Sequence, residues 1–335
     1  MRIFPEKIKR ALKSTLFGLM LAASVTVQSL GAQALGTDST AAKEETVESP
    51  VAMDVVYGYQ NTAKSGRFLP LKIELSSQSG QAFNGTLCIL AMESDFQGYN
   101  MNLDYDVYRY EYPVEIEPGG NVNKSVSISL GARVDQMYVR LLDENGNEVV
   151  SKRLKLNLNL ETEELFIGVL SDNPAELLYF NGVGVNYSTL RTKTIEMTAS
   201  TLPASELGLD QLDVLLITDF DSGKLSGQQI EAVWEWVRKG GVLLIGTGER
   251  GEDTLRGFGK ELLEQPLPQP DERIINMGVE YAVDRPEGAS IPLVCTDVML
   301  KGGTEVLGSD ELSVLSSVSA GSGLVAVAMY DFVWR

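Results

Sequence analysis

The chain contains no histidine among its 335 residues. That absence removes the commonest general base and the imidazole metal ligand together, along with every triad that sets His beside Ser or Cys. Cysteine is nearly absent too: Cys88 and Cys295 are the two present. A cysteine zinc knot or a disulfide framework therefore cannot be assembled. Each cysteine sits in an apolar run, "GTLCILAM" and "IPLVCTDVM". This predicts two buried free thiols, with a single long-range disulfide as the alternative. Basic residues are in deficit, 28 Lys and Arg against 46 Asp and Glu, for a net charge of −18. Phosphate neutralisation needs a basic face, so nucleic acid is not expected as a partner. Long apolar runs are also missing. Residues 16–27 form one of roughly a dozen residues, short of the ~20 a membrane helix needs.

What is present is a folding composition, 44% apolar and 22% charged, in a chain long enough for two domains. Residues 1–34 read as an export signal. Arg2, Lys7, Lys9, Arg10 and Lys13 form a basic n-region, the apolar run is the h-region, and Ala32-Gln33-Ala34 supplies an A-x-A site. An uncleaved anchor is the other reading, and both place the body outside the cytoplasm. Residues 35–50, "LGTDSTAAKEETVESP", are small, polar and acidic, and are expected to be a disordered spacer.

Residues 51–162 carry short alternating runs, among them "FLPLKIELSS", "YRYEYPVEI" and "EVVSKRLKLNLNL", separated by turn signals such as "EPGGN" and "ENGN". Six or seven strands in that length predict an immunoglobulin-like β-sandwich. From residue 163 the period changes. "LFIGVLSD", "TKTIEMTA", "LDVLLITDFD" and "VLLIG" read as buried strands. "NPAELLYFNG" reads as a helix with Asn173 as N-cap, and "LSGQQIEAVWEWVRKGG" as a longer one with a capping box from Ser226 and Gln229. The alternation predicts an α/β domain over 163–335, a doubly wound, mostly parallel sheet of amidotransferase-like or flavodoxin-like type. Residues 270–318 look like a β-rich excursion. "LSVLSSVSAGSGLVAVAMYDF" reads as a strand, a tight turn and a strand returning to the sheet. A doubly wound domain covers such a strand with another helix, so the chain is expected to be the front part of a longer protein.

Two phrases carry a family resemblance. "LSGQQIEAVWEWVRKGGVLLIGTG" and "GSGLVAVAMYDF" resemble the helix–strand–turn and final strand of class I glutamine amidotransferase-like domains in exported bacterial proteins. "KSGRFLPLKIELSS" with "FNGTLCI" resembles the β-sandwich that precedes such domains in uncharacterised surface proteins of Gram-positive, clostridial-type bacteria. The resemblance implies C-terminal transmembrane helices beyond this chain. It also implies a cysteine nucleophile, served by a histidine, on the turn occupied here by Gly246, Thr247 and Gly248. Neither residue is present there, so the resemblance implies a degenerate site.

The remaining candidates are weak chemistry. "GTGERG", residues 246–251, matches the dinucleotide pattern G-x-G-x-x-G. It follows the fourth strand of its domain and not the first, and Glu249, Glu252 and Asp253 would repel a pyrophosphate, so no cofactor is expected. Thr247 as a nucleophile lacks a base. Asp172, Asp219 and Asp221 follow two strands whose ends share one edge of a parallel sheet, where a divalent metal could bind. The bland reading is that they cap turns, and no metal is expected. Tyr108, Tyr110 and Tyr112 share one strand face, with Tyr99 and Tyr105 near in sequence, and form a possible sugar- or protein-binding face or simply sandwich core. The expected function is a non-catalytic, exported, membrane-associated module for interaction or scaffolding, with an envelope protein or polymer as partner. The alternatives are a divalent-ion-dependent enzyme or ion-binding domain on the acidic edge, and envelope-carbohydrate binding through the tyrosines.

Overall fold

Alternation builds the first strands as the pattern requires. In the strand "FLPLKIELSS", Leu69, Leu71, Ile73 and Leu75 are buried while Lys72 and Glu74 face solvent. The computed structural model describes residues 49–93, 107–131, 134–159, 163–184, 189–277, 289–309 and 312–333. The expected signal at 1–34, nearly all of the spacer at 35–50, and Tyr99 and Tyr105 lie outside them.

The strands of the first part are β1 (Val51–Tyr57), β2 (Ala63–Lys64), β3 (Phe68–Ser77), β4 (Phe83–Glu93), β5 (Val107–Ile116), β6 (Asn121–Ser129), β7 (Val134–Asp143), β8 (Glu148–Lys155) and β9 (Leu158–Asn159). They form a three-stranded sheet in the order β1-β3-β6, a four-stranded sheet β5-β4-β7-β8 and a parallel pair β2-β9. The two larger sheets share one core that includes Leu71, Ile73, Ile89, Val114, Ile128 and Val139. The β7–β8 turn, "DENGNE", closes on Asp143, whose Oδ1 accepts from the backbone N–H of Asn145 and Asn147 at 2.8 Å.

The second part holds β10 (Glu164–Leu170), β11 (Arg191–Met197), β12 (Val214–Thr218), β13 (Val242–Gly246), β14 (Asp271–Met277), β15 (Ala289–Cys295), β16 (Thr304–Ser309), β17 (Leu312–Ala320) and β18 (Gly323–Ala328). Its helices are α1 (Glu206–Leu209), α2 (Gly227–Arg238), α3 (Gly251–Leu255) and α4 (Gly259–Leu262). Seven strands make one mixed sheet, β11-β10-β12-β13-β18-β17-β16, parallel from β11 to β18 and antiparallel thereafter. β14 and β15 pair separately. The segment expected to wander from the sheet thus gives β16 and β17 to it.

The expectation of an immunoglobulin-like sandwich followed by a doubly wound α/β domain is overturned. Among the described residues strands take 51% and helices 16%, the strands spread over several sheets. A doubly wound sheet needs helices on both faces, and α2 is the single α-helix longer than five residues among the described ones. One face of the mixed sheet packs on α1 to α4 through Leu215, Ile245, Val325, Val233 and Phe258. The opposite face meets a seven-residue 3-10 turn, Pro174–Phe180, with Phe332 and Val333. That turn occupies the expected first helix. Its intended cap, Asn173, makes no capping bond and donates its amide to Asp219 instead. A segment this short and uncapped does not sustain an α-helix.

Where the local signals agree, the element forms as read. α2 has its capping box: Ser226 Oγ accepts from Gln229 N at 3.2 Å and Gln229 Oε1 from Ser226 N at 2.9 Å. The Gly-Ser-Gly turn between β17 and β18 tucks against the end of α2. A Cβ on Gly323 would lie 2.0 Å from the carbonyl oxygen of Val237, and one on Gly321 2.4 Å from that of Arg238. Among the described residues no helix is long and apolar enough to cross a membrane.

Candidate functional site

β10, β12, β13 and β18 are parallel, so their carboxyl ends form one edge. The structure brings Asp172 and Asp219 together there, with Asp172 N donating to Asp219 O at 3.1 Å. Asp219 is fully buried and its backbone is left-handed, φ 47°. A buried carboxylate is costly unless paired. Asp219 accepts from Asn173 Nδ2 at 2.6 Å and from Arg250 Nη1 at 2.9 Å. The same Arg250 nitrogen reaches Asp172 Oδ2 at 3.0 Å, and Lys224 Nζ reaches Asp172 Oδ1 at 3.0 Å. Partial burial would raise the Asp172 carboxyl, but Lys224 and Arg250 outweigh it and hold it below the usual carboxylate range. Asp221 is served by a different cation. It accepts from Gly223 N at 2.9 Å, capping a 3-10 turn, and pairs with Arg256 Nη1 at 2.9 Å. Arg256 also pairs with Asp253. The acidic edge is therefore an interleaved ion-pair network. Among the described residues no group of three acidic or sulfur side chains is placed to hold a metal ion.

The turn after β13 is equally committed. Thr247 is buried, and its hydroxyl donates to the carbonyl of Ala328 at 2.8 Å. Its backbone N–H lies 3.2 Å from that oxygen and 3.1 Å from the carbonyl oxygen of Tyr330. Gly246 is buried against Thr218, and Gly248 has φ 55°, with Asp331 N 2.7 Å from where a Cβ would stand. The strand that follows β13 in the sheet has closed over the turn, and the hydroxyl faces a backbone acceptor. Cys295, at the end of β15, is buried and free, and burial pushes its thiol up to about 11. Cys88 is likewise free and raised by burial.

On β5 the three tyrosines divide. Tyr110 and Tyr112 are half-buried and pack on the core of the first part, and the Tyr110 hydroxyl donates to Ser129 O at 3.1 Å. Tyr108 is 43% exposed.

One buried polar cluster was not among the candidates. Lys64 is 1% exposed, ion-paired with Asp213 and set 4.9 Å from the centre of the Phe166 ring. Asp213 also accepts from Arg67 Nη2 at 2.8 Å and from Phe166 N at 2.6 Å. Gln211, fully buried, accepts from Lys64 N at 2.5 Å and donates to Phe68 O at 2.8 Å. Tyr59 donates its hydroxyl to Gly208 O at 2.6 Å, and burial raises its phenol. These bonds join residues 59–68 to residues 208–213 and make a polar joint between the first sheets and the mixed sheet.

Comparison with known proteins adds little. A family model described as a domain of unknown function (DUF8726) matches residues 50–157. No curated protein matches the chain. Among solved structures it is similar to cytoplasmic protein STM1381 from Salmonella typhimurium LT2, with 16% identity over 50% of this chain and 88% of that one, TM-score 0.38. It is similar to cytoplasmic protein STM3548 from Salmonella typhimurium, with 15% identity over 59% and 85%, TM-score 0.37. It is also similar to the sporulation control protein Spo0M from Bacillus subtilis, with 11% identity over 33% and 49%, TM-score 0.24. Likenesses at these TM-scores carry no argument about fold or activity.

Proposed function

We propose that this is an exported, non-catalytic module that works by binding a partner of the cell envelope. One observation carries the non-catalytic part. At the sheet edge where parallel strands present ligands, the candidate nucleophile Thr247 donates to a backbone carbonyl, and Asp172, Asp219 and Asp221 are each ion-paired with Lys224, Arg250 or Arg256. A group already neutralised by a neighbouring cation must break that pair before it can bind metal or move a proton. Export rests on the basic, apolar and A-x-A pattern of residues 1–34. The half-burial of Tyr110 and Tyr112 favours a packing role over a sugar platform.

The test is a thermal melt of the full chain with millimolar Ca²⁺ or Mg²⁺, beside Asp219→Asn. Saturating a real site at one hundred times its Kd adds about 2.7 kcal/mol, a shift of a few degrees. No cation-specific shift is expected beyond the screening of negative charge, which the variant shares. A shift in the parent chain that Asp219→Asn abolishes would establish an ion site and overturn the reading.

A further inference from the structure

Asparagine followed by glycine occurs three times in the sequence, at Asn84-Gly85, Asn145-Gly146 and Asn181-Gly182. The pair carries its own reactive chemistry. The backbone nitrogen of the glycine can attack the side-chain carbonyl carbon of the asparagine, and the missing Cβ leaves that nitrogen uncrowded. Attack needs a side chain and a following N–H that leave their hydrogen bonds together. The fold treats the three pairs differently. Asn84 lies in β4, a central strand, and Gly85 faces Val114 of β5 and Asp143 of β7. A Cβ on Gly85 would stand 2.1 Å from the carbonyl oxygen of Leu142, so little room is left around that backbone. Asn181 is tied to β11 through two residues. Its Oδ1 accepts from Thr194 N at 3.1 Å, and Gly182 N donates to Thr192 O at 2.7 Å. Asn145 is exposed at the tip of the β7–β8 hairpin, and Gly146 has φ 84° with open space where a Cβ would stand. Asp143 supplies the bonds of both residues: its Oδ1 accepts from Asn145 N at 2.8 Å and its carbonyl oxygen from Gly146 N at 3.0 Å. Bonds from Asn147 and then Asn145, the side-chain amide of each included, hold the Asp143 carboxyl below the usual carboxylate range. Local opening costs least at such an exposed tip.

We propose that Asn145 is a site of spontaneous deamidation, a covalent modification that marks the β7–β8 hairpin with age. Gly146 N gives its proton to solvent and bonds to Asn145 Cγ. The Cγ–Nδ2 bond breaks, and the freed nitrogen takes a proton from water and leaves as ammonia. Water then opens the ring. Cleavage at Cγ leaves an aspartate at position 145. Cleavage at the original carbonyl carbon leaves an isoaspartate, in which the side-chain carbons have entered the backbone. Overall one amide and one water give one carboxylic acid and one ammonia, with no oxidant or reductant. The new carboxylate stands beside Asp143 and Glu144, and like charges so close repel. The isoaspartate lengthens the connection into β8, the edge strand of its sheet, which pairs with β7 on one side only. The inference stands without the envelope-partner reading, because the reaction needs water alone.

The test holds the folded full chain at body temperature and mildly alkaline pH, maps its peptides by mass, and labels isoaspartate with an isoaspartyl methyltransferase. Modification is expected first at Asn145, faster than at Asn181 by roughly fivefold, the worth of one net hydrogen bond, and not detectably at Asn84. In guanidinium the three rates should draw together, since the fold is what separates them. Asn145→Gln, at an exposed tip, should remove the label from this hairpin at an unchanged melting temperature, because the longer side chain closes a less favourable ring. Equal rates at the three pairs in the folded chain, a slower rate at Asn145 than at Asn181, the same spread of rates in guanidinium, or a label that persists in Asn145→Gln would overturn the proposal.

Discussion

Replacing Asp213 by Ala should cost far more than replacing its partner Lys64 by Met. Lys64 is 1% exposed, so Asp213→Ala takes the carboxylate from an ammonium that water cannot reach without opening the joint. Removing one partner of a buried pair costs about 3–5 kcal/mol. Phe166 N also loses its acceptor, which adds about 1 kcal/mol. The Asp213 side chain is 20% exposed, so entering water recovers part of both. A net loss of about 3–4 kcal/mol follows. Lys64→Met is different. The carboxylate keeps Arg67 and Phe166 N, and the methionine fills the volume beside the Phe166 ring. Exchange of a buried charge for an apolar side chain of like size is often near neutral, so about 1 kcal/mol or less is expected. Urea unfolding measures both, by the midpoint at constant slope. Two probes should be followed. Trp234 and Trp236 fluorescence reports the mixed-sheet half, and far-UV circular dichroism reports every strand. Because the joint links the two halves, the probes should coincide in the parent and separate in Asp213→Ala. A Lys64→Met loss equal to or larger than that of Asp213→Ala would refute the reasoning.

Other outcomes follow from the same geometry. Both thiols should be silent to a disulfide reagent in the folded chain at mildly alkaline pH and titrate fully in guanidinium, since Cys88 and Cys295 are buried and raised; rapid reaction of either in the folded chain would contradict their placement. Asp172 is depressed in the folded chain, so its stabilisation is present above the unfolded value of about 4 and fades as pH falls through the folded one. The melting-temperature gap between the parent and Asp172→Asn should therefore close in acid, and a gap that widens there would reverse the sign. N-terminal sequencing of the chain recovered from its native cell should begin near Leu35; an intact Met1 in a soluble cytoplasmic fraction would remove the export reading.

Legibility in the sequence followed the range of the interaction. The α2 capping box and the apolar strands β10, β12, β13 and β18 are written within a few residues of themselves, and the helical and strand periods report them directly. Sheet closure was less visible. Nothing local in "NPAELLYFNG" says that Asn173 will bond Asp219, 46 residues on, and leave its own turn uncapped. The acidic edge was legible by half. Asp172, Asp219 and Asp221 end their strands in plain view, and Lys224 closes the turn that Asp221 caps, but Arg250 and Arg256 arrive from beyond β13, and Arg250 hid inside a stretch read for its glycines and acids. The joint was not legible at all. Lys64 and Arg67 sit in "AKSGRF", which by composition is a solvated turn, and their burial exists only once Asp213, 149 residues from Lys64, packs against them.

The order of strands also sets a timetable for synthesis. β13 pairs with β12 on one side and β18 on the other, and β17 and β16 reach the sheet only through β18. A ribosome releases the amino-terminal four strands of this sheet first, with the backbone of β13 open along one edge. Roughly eighty residues separate β13 from β18, which at ordinary elongation rates is on the order of 4–16 s. During that interval the nascent chain carries an unpaired, apolar strand of "VLLIG", the kind of edge that recruits other chains. A chaperone that shields β13 until β18 emerges would suit this topology, and a stall inside that window would expose the edge for longer than a missense change elsewhere.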